Sequence, residues 1–162
     1  MKTKIISILV LMSLLVSTIG LTGSANQTCS TNDTGGPDPS KTIEVTKLIK
    51  NNSHWVSYIE ATVGSILRFK INVTYHDTDG EGIGFLLRDI VIKDILPNGL
   101  EYAGNPTENP DDISDDGKNI TWDINRGLED NDSYLIEFDI KIITQGCHIN
   151  NANVSAIETC YD

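Results

Sequence analysis

Residues 87–102 read LRDIVIKDILPNGLEY, and this stretch decides the fold class. The β-branched run at 90–92 is typical of a strand. Pro97 ends that run because proline has no N–H to give to a sheet ladder. The Asn-Gly pair at 98–99 tolerates positive φ and predicts a tight hairpin. Alternation resumes at Leu100, so the stretch predicts a strand, a corner that fixes the register, and a second strand.

Other segments alternate apolar and polar residues in the same way. The clearest is LRFKINVTYH at 67–76, where period two places one face in a core and the other in water. The predicted strands are 43–49, 67–76, 87–95, 100–103, 119–124, 134–143 and 151–156. Seven such strands with turn residues between them predict an all-β, immunoglobulin-like Greek-key β-sandwich. Trp122 is the expected large core aromatic.

The chain divides into three predicted parts. Residues 1–25 begin with Lys2 and Lys4, continue through an apolar run and end in Gly-Ser-Ala, which predicts a secretory signal peptide. An uncleaved membrane anchor is the alternative, because the apolar run is nearly long enough to span a bilayer. Residues 26–41 are a flexible polar linker, and residues 42–162 form the sandwich domain. A secreted or cell-surface location follows.

The charge is strongly negative. The whole chain carries −11, and cleavage after residue 25 leaves 10 basic against 23 acidic residues, a net charge of −13. Phosphate contacts with nucleic acid are therefore excluded. Anionic lipid surfaces would repel the domain, so membrane contact is expected only through an uncleaved N-terminal segment.

Three cysteines, Cys29, Cys147 and Cys160, are disulfide candidates in an oxidising compartment. A fully extended strand of about 13 residues would hold Cys147 and Cys160 too far apart to bridge. Their pairing therefore requires the chain to turn back, and a bridge from Cys29 to either partner is the other option. One thiol is left over in every case, which leaves room for a link to another chain.

Glycosylation is the sharpest compositional signal. Half of the 14 asparagines stand in Asn-x-Ser/Thr with x not proline. They are Asn26, Asn32, Asn51, Asn72, Asn119, Asn131 and Asn153. Three of them fall on the outward faces of predicted strands, where glycans must be. The plainer interpretation is that Asn and Thr are common on polar strand faces.

Two acidic loops suggest calcium. The sequence DTDGEG at 77–82 has oxygen-bearing side chains at alternate positions followed by glycine, which suits a hard cation. Arg88 stands where an EF-hand would need Glu, so this is not an EF-hand. Greek-key connectivity would bring this loop beside the acidic loop at 104–118. The candidate calcium ligands are Asp77, Asp79, Glu81, Asp111, Asp112, Asp115 and Asp116. The alternative is a pair of solvated acidic loops.

Catalytic motifs are missing from the sequence. His54, His76 and His148 are scattered without a metal-binding spacing, and there is no Gly-x-Ser-x-Gly elbow or phosphate-binding glycine loop. Neighbouring Cys147 and His148 fall on opposite faces of a strand, which is poor geometry for a nucleophile and its base. We therefore expect no enzyme activity and no catalytic residue.

An ordered set of landmarks resembles a known family. They are VG at 63–64, DILPNGLEY at 94–102, ITWDI at 120–124, YLIEF at 134–138 and NNANV at 150–154. Together they resemble a repeat module of archaeal and bacterial surface proteins, catalogued as conserved domain of unknown function number eleven, over residues 42–157. The resemblance implies an immunoglobulin-type structural module of the cell envelope, without catalytic residues to transfer. This chain departs from that pattern in carrying one copy and no C-terminal hydrophobic tail or sortase-type signal.

The expected function is therefore structural or adhesive. The chain is interpreted as a glycosylated module whose partners are other surface proteins, glycans or neighbouring envelope modules. One alternative is a recognition domain that binds calcium or glycans through the acidic loops. Another is a truncated fragment of a longer multi-module surface protein.

Overall fold

The computed structural model describes residues 15–17, 41–77 and 84–161. Ten β-strands and no helix occur in these residues. The strands are β1 (Leu15–Ser17), β2 (Lys41–Asn51), β3 (His54–Val56), β4 (Ile66–Asp77), β5 (Gly84–Ile95), β6 (Leu100–Gly104), β7 (Asp112–Ile113), β8 (Asn119–Ile124), β9 (Ser133–Ile142) and β10 (Asn151–Tyr161).

The strands form two antiparallel sheets. The first has the order β1-β2-β4-β9-β6, with β3 also paired to β2, and the second has the order β10-β5-β8-β7. Trp122 of the second sheet packs against Phe138 of the first, with ring centroids 5.2 Å apart and the ring planes tilted by 41°. The predicted all-β class is confirmed, and the two sheets are consistent with a sandwich.

Period-two alternation places the core where the sequence predicts it. On β4 the residues at 67, 69, 71, 73 and 75 are buried, and the residues between them are half-buried or exposed. Ile120, Trp122 and Ile124 of β8 are buried in the same manner. Phe138 of β9 contacts aromatic rings from both sheets and lies at the centre of this core.

The strand order is not that of a constant-type immunoglobulin domain. There the third strand lies beside the sixth, and the second beside the fifth. When the short strands β1, β3 and β7 are left out, the second, third, fifth and sixth strands of the chain are β4, β5, β8 and β9. The third strand, β5, then lies beside the fifth, β8, and the second strand, β4, pairs with the sixth, β9. The fifth and sixth long strands have thus exchanged sheets relative to that order.

The predicted hairpin at 97–99 is wrong. β5 and β6, which flank this corner, belong to different sheets, and β6 pairs with β9 instead. The corner is a turn closed by a hydrogen bond from Leu100 N to Pro97 O at 2.9 Å, and neither Asn98 nor Gly99 has positive φ. It therefore carries the chain from one sheet to the other and sets no register between its flanking strands.

Gly99 serves this corner through its small size. A Cβ atom built on Gly99 would lie 1.8 Å from Cε1 of the buried His148 ring. The imidazole is held there by contact between its Nε2 and the carbonyl oxygen of Thr144 at 3.0 Å. The absence of a side chain at 99 is thus what lets the segment before β10 close over the corner.

Replacing Gly99 by Ala should lower the free energy of unfolding by about 1–3 kcal/mol, because the new methyl group overlaps the His148 ring. Urea denaturation measures the loss. In a His148→Ala background the same substitution should cost much less, since the ring is gone. An equal cost in both backgrounds would show that the glycine is needed for another reason.

Residues 51–64, which lie between the first two predicted strands, contain the short strand β3. Asn52 adopts φ of 55°, which permits the tight turn between β2 and β3. Trp55 of β3 lies under Lys70, whose Nζ is 4.4 Å from the ring centroid. This cation–π contact holds β3 against the outer face of the first sheet.

The first long strand, β2, begins at the same end of the sandwich at which the last strand, β10, ends. Lys41 pairs with Asp77 at the end of β4, and Tyr161 pairs with Gly84 at the start of β5. Residues 78–83 join those two strand ends. Residues 41 and 161 therefore lie at the same end of the molecule.

Most of the predicted signal peptide and linker lies outside the described residues. Leu15–Ser17 are described, and they pair with residues 43–45 on the outer edge of β2. Lys41, predicted to end the linker, is the first residue of β2. In the described part of the chain no helix has the length and apolar character needed to cross a membrane.

Candidate functional site

A cluster of three polar side chains lies inside the sandwich. Lys47, Asp94 and Asn150 are 8%, 0% and 1% exposed, in a core that is otherwise largely apolar. Lys47 belongs to β2 of the first sheet, Asp94 to β5 of the second, and Asn150 immediately precedes β10. The cluster therefore bridges the two sheets.

Strand alternation puts all three residues on the inside. Lys47 continues the inward series Ile43, Val45 and Ile49 on β2. Asp94 follows Ile90 and Ile92 at the same spacing on β5, and Asn150 precedes Ala152. Each polar residue thus occupies a position where the pattern calls for an apolar one.

The carboxyl group of Asp94 contacts both other members of the cluster. Lys47 Nζ donates a hydrogen bond to Asp94 Oδ1. Asn150 Nδ2 donates to Asp94 Oδ2 at 3.5 Å. The amine and the carboxamide are therefore held against the two oxygens of a single carboxyl group.

Burial drives both titratable groups toward their neutral forms. Desolvation lowers the pKa of the Lys47 amine, and the nearby Asp94 charge only partly opposes it. Desolvation likewise raises the pKa of the Asp94 carboxyl, against the effect of Lys47 and the hydrogen bond from Asn150. A neutral amine beside a protonated acid is a nucleophile beside a proton donor.

The walls of the cluster are aromatic. Lys47 Nζ lies 5.6 Å from the ring centroid of Phe69 and 5.9 Å from that of Phe138. Asn150 Oδ1 is buried and has no hydrogen-bond partner among the described residues. A buried carbonyl oxygen without a hydrogen bond lowers the stability of the fold. Asn150 Oδ1 is therefore the atom of the cluster whose hydrogen-bonding capacity the described residues leave unused.

Asp94→Ala should leave a buried lysine without its partner. It should be less stable than Lys47→Met/Asp94→Leu by about 3–5 kcal/mol, because the double variant has no buried charge to desolvate. Chemical denaturation of both variants at neutral pH measures the difference.

The stability of Asp94→Ala should also rise with pH. Burial keeps the folded-state pKa of Lys47 below its unfolded value, so the unfolded chain binds more protons. Stability then increases from the lowered pKa up to the ordinary lysine pKa, by at most about 1.4 kcal/mol per pH unit. The double variant should lack this rise, and an equal slope in both variants would contradict the buried position of Lys47.

The expectation that the two acidic loops share one end of the sandwich is wrong. Asp77 lies where β4 ends, beside Lys41. Asp115 and Asp116 lie in the turn before β8, whose first residue pairs with Ile95 at the far end of β5. Because β8 pairs with β5 and β9 takes the place beside β4, Asp77 and the turn that holds Asp115 and Asp116 fall at opposite ends of the sandwich. Asp79 and Glu81 lie outside the described residues.

The described acidic side chains make local hydrogen bonds. Asp111 Oδ2 accepts from the backbone N–H of Asp123 at 2.7 Å. Asp116 Oδ1 accepts from Ser114 Oγ at 2.6 Å, and this bond lowers the pKa of Asp116. Asp112 is exposed on β7. In the described residues no group of three or more His, Cys, Asp or Glu side chains is placed to hold a metal ion. Calcium binding stays a prediction.

The acceptor asparagines of the described domain lie outside the core. Asn51, Asn131 and Asn153 are exposed, while Asn72 and Asn119 are half-buried on the outward sides of β4 and β8. The predicted outward positions of 72, 119 and 153 are therefore confirmed, whereas use of these sites stays a prediction. Asn26 and Asn32 lie outside the described residues.

Cys147 is exposed in the segment between β9 and β10. Its neighbour His148 points inward against Gly99. Cys29 and the side chain of Cys160 lie outside what the structure describes, so the disulfide stays a prediction.

Comparison with family models, with curated proteins and with solved structures returned no match to this chain.

Proposed function

We propose that this chain is a secreted or cell-surface structural and adhesive module, glycosylated and without catalytic activity. The observation that carries the proposal is the outer edge of β2. Along this edge residues 43–45 pair with Leu15–Ser17 and residues 49–51 pair with β3. The first of these partners lies within the predicted signal peptide.

Removal of residues 1–25 would expose the edge of β2 from 41 to 48. An unpaired strand edge presents a row of N–H and C=O groups and is a template for a strand from another chain. Strand addition of this kind gives affinity through main-chain hydrogen bonds and specificity through alternate side chains. The partner that we propose is a strand of a neighbouring envelope module, including a second copy of this one.

The distribution of acceptor asparagines supports an extracellular location. The five in the described domain are placed where a glycan does not disturb the core, and none lies on the edge residues 41–48. Glycans on Asn72, Asn119 and Asn153 would cover outward faces of the sheets and leave the β2 edge open between residues 41 and 48. The net charge of −13 after removal of residues 1–25 favours solubility of such a module.

The family and the finer fold are part of the same proposal. We propose a variant of the immunoglobulin-like Greek-key sandwich, related to the surface repeat module that the sequence resembles. The two antiparallel sheets and the buried Trp122 support this assignment. The exchanged positions of β8 and β9 make it a variant of the constant-type order.

Secretion and glycosylation are tested together by expression of the whole chain in a host that secretes and glycosylates. The mature protein should begin at Asn26, and peptide mapping should find glycan on Asn153. Asn153→Gln should remove that glycan, whereas Asn151→Gln, an exposed neighbour outside any acceptor motif, should leave it. Recovery of the chain inside the cell with its leader intact would contradict the proposal.

Edge pairing is tested by sedimentation velocity on residues 26–162. The chain should associate with increasing concentration. Thr46→Lys should weaken association, because it adds a charge beside the open edge. Leu135→Lys places the same charge at an exposed position on the internal strand β9, outside any acceptor motif, and should leave association unchanged. A chain that stays monomeric at every concentration and binds no strand peptide would overturn the edge as the adhesive surface.

A further inference from the structure

We infer that Lys47 and Asn150 become joined by an intramolecular amide bond, with Asp94 as the acid–base group that promotes it. The geometry behind this inference is the shared carboxyl of Asp94, which contacts the Lys47 amine on one oxygen and the Asn150 carboxamide on the other. The inference is independent of the proposed function, since it depends only on the core of the domain.

Amide exchange needs three things that the cluster supplies. The attacking amine must be neutral, and desolvation lowers the pKa of Lys47. The carboxamide is a weak electrophile, so its oxygen must receive a proton or a strong hydrogen bond as the amine attacks. Burial raises the pKa of the Asp94 carboxyl, which favours its protonated form, and the group lies next to Asn150.

Asn150 Oδ1 is the atom that this reaction would use. It is buried and has no hydrogen-bond partner among the described residues, and its neighbour Asp94 is the carboxyl group that can donate a proton to it. Rotation about the Cβ–Cγ bond of Asn150 turns Oδ1 toward the Asp94 carboxyl. The otherwise unsatisfied oxygen then accepts the hydrogen bond that activates the carbonyl.

The reaction balances without any outside reagent. The lone pair of Lys47 Nζ forms a bond to Asn150 Cγ, and Asp94 gives its proton to the carbonyl oxygen. Asp94 then relays a proton from Nζ to the Asn150 nitrogen, the Cγ–Nδ2 bond breaks as the tetrahedral intermediate collapses, and the proton on the carbonyl oxygen returns to Asp94. The products are one secondary amide and one ammonia, with no change of oxidation state.

The surroundings favour condensation over hydrolysis. Phe69 and Phe138 flank the amine, and all three reacting side chains are almost fully removed from water. Holding the amine and the carboxamide against one carboxyl group replaces a bimolecular encounter by a unimolecular step. Condensation onto Asp94 itself is disfavoured, because it would consume the acid and leave Asn150 buried without a partner.

The bond would connect the two sheets at opposite ends of the domain sequence. Lys47 is in β2, the first long strand, and Asn150 precedes β10, the last. The covalent loop would therefore enclose most of the folded chain. Such a link resists proteolysis and unfolding. Unlike a disulfide, it does not depend on redox conditions.

Intact mass spectrometry of the purified chain under denaturing, reducing conditions tests the bond directly. The mass should be lower than the sequence mass by about 17 Da, the mass of ammonia. Trypsin does not cleave at an acylated lysine, so digestion should yield peptide 42–50 joined to peptide 142–162. The full sequence mass would overturn the inference. A loss of about 18 Da with Lys47 joined to Asp94 would overturn it as well.

Matched variants assign the roles. Asn150→Ala should retain its full mass, whereas Asn151→Ala, an exposed neighbour, should still lose ammonia. Asp94→Ala should keep its full mass while circular dichroism shows the folded β-signal. If that variant does not fold, Asp94→Asn, which preserves the side-chain shape, replaces it. Loss of ammonia from a folded Asp94 variant would overturn the role of the acid.

Discussion

The contact between Lys47 and Asp94 across the core is the constraint on which the arrangement of the two sheets depends. A buried amine or carboxyl is costly unless each group finds its partner, so only a packing that brings β2 and β5 together satisfies both. Apolar side chains alone tolerate sliding of one sheet over the other, because the hydrophobic effect is not directional. The polar contact therefore selects one packing from several that would bury similar apolar area.

The strands were predictable because alternation is a local property. β4, β8 and β9 each bury every second residue as the sequence implies. The corner at 97–99 was not predictable, since the Asn-Gly signal describes a turn and carries no information about which strands will pair. The pairing of β6 with β9 joins residues about forty positions apart, such as Leu100 and Ile142. The need for a small residue at Gly99 comes from His148, which lies about fifty positions further along the chain.

The candidate site shows the same division. Alternation already places Lys47 and Asp94 on inward positions, so the signal for buried polar residues was present in the sequence. The contact between Lys47 and Asp94 could not be predicted from the sequence, because it requires knowing that β2 faces β5 across the core. The expectation that the two acidic loops meet failed for the reverse reason. It took the end at which each loop lies from an assumed connectivity, and the exchange of β8 and β9 between sheets moved Asp115 and Asp116 away from Asp77.

Entry and exit of the chain at one end of the sandwich have a mechanical consequence. Tension between residues 41 and 161 acts on the terminal pairs Lys41–Asp77 and Gly84–Tyr161 first. The hydrogen-bonded residue pairs would then break one after another from the strand ends, which is unzipping. In shear, by contrast, all the pairs of a strand bear the load together. A domain attached through residues 41 and 161 lies to one side of the line along which the force acts. An amide at Lys47 would stop the unzipping of β2 after residue 46, so the extension of β2 under load would end there.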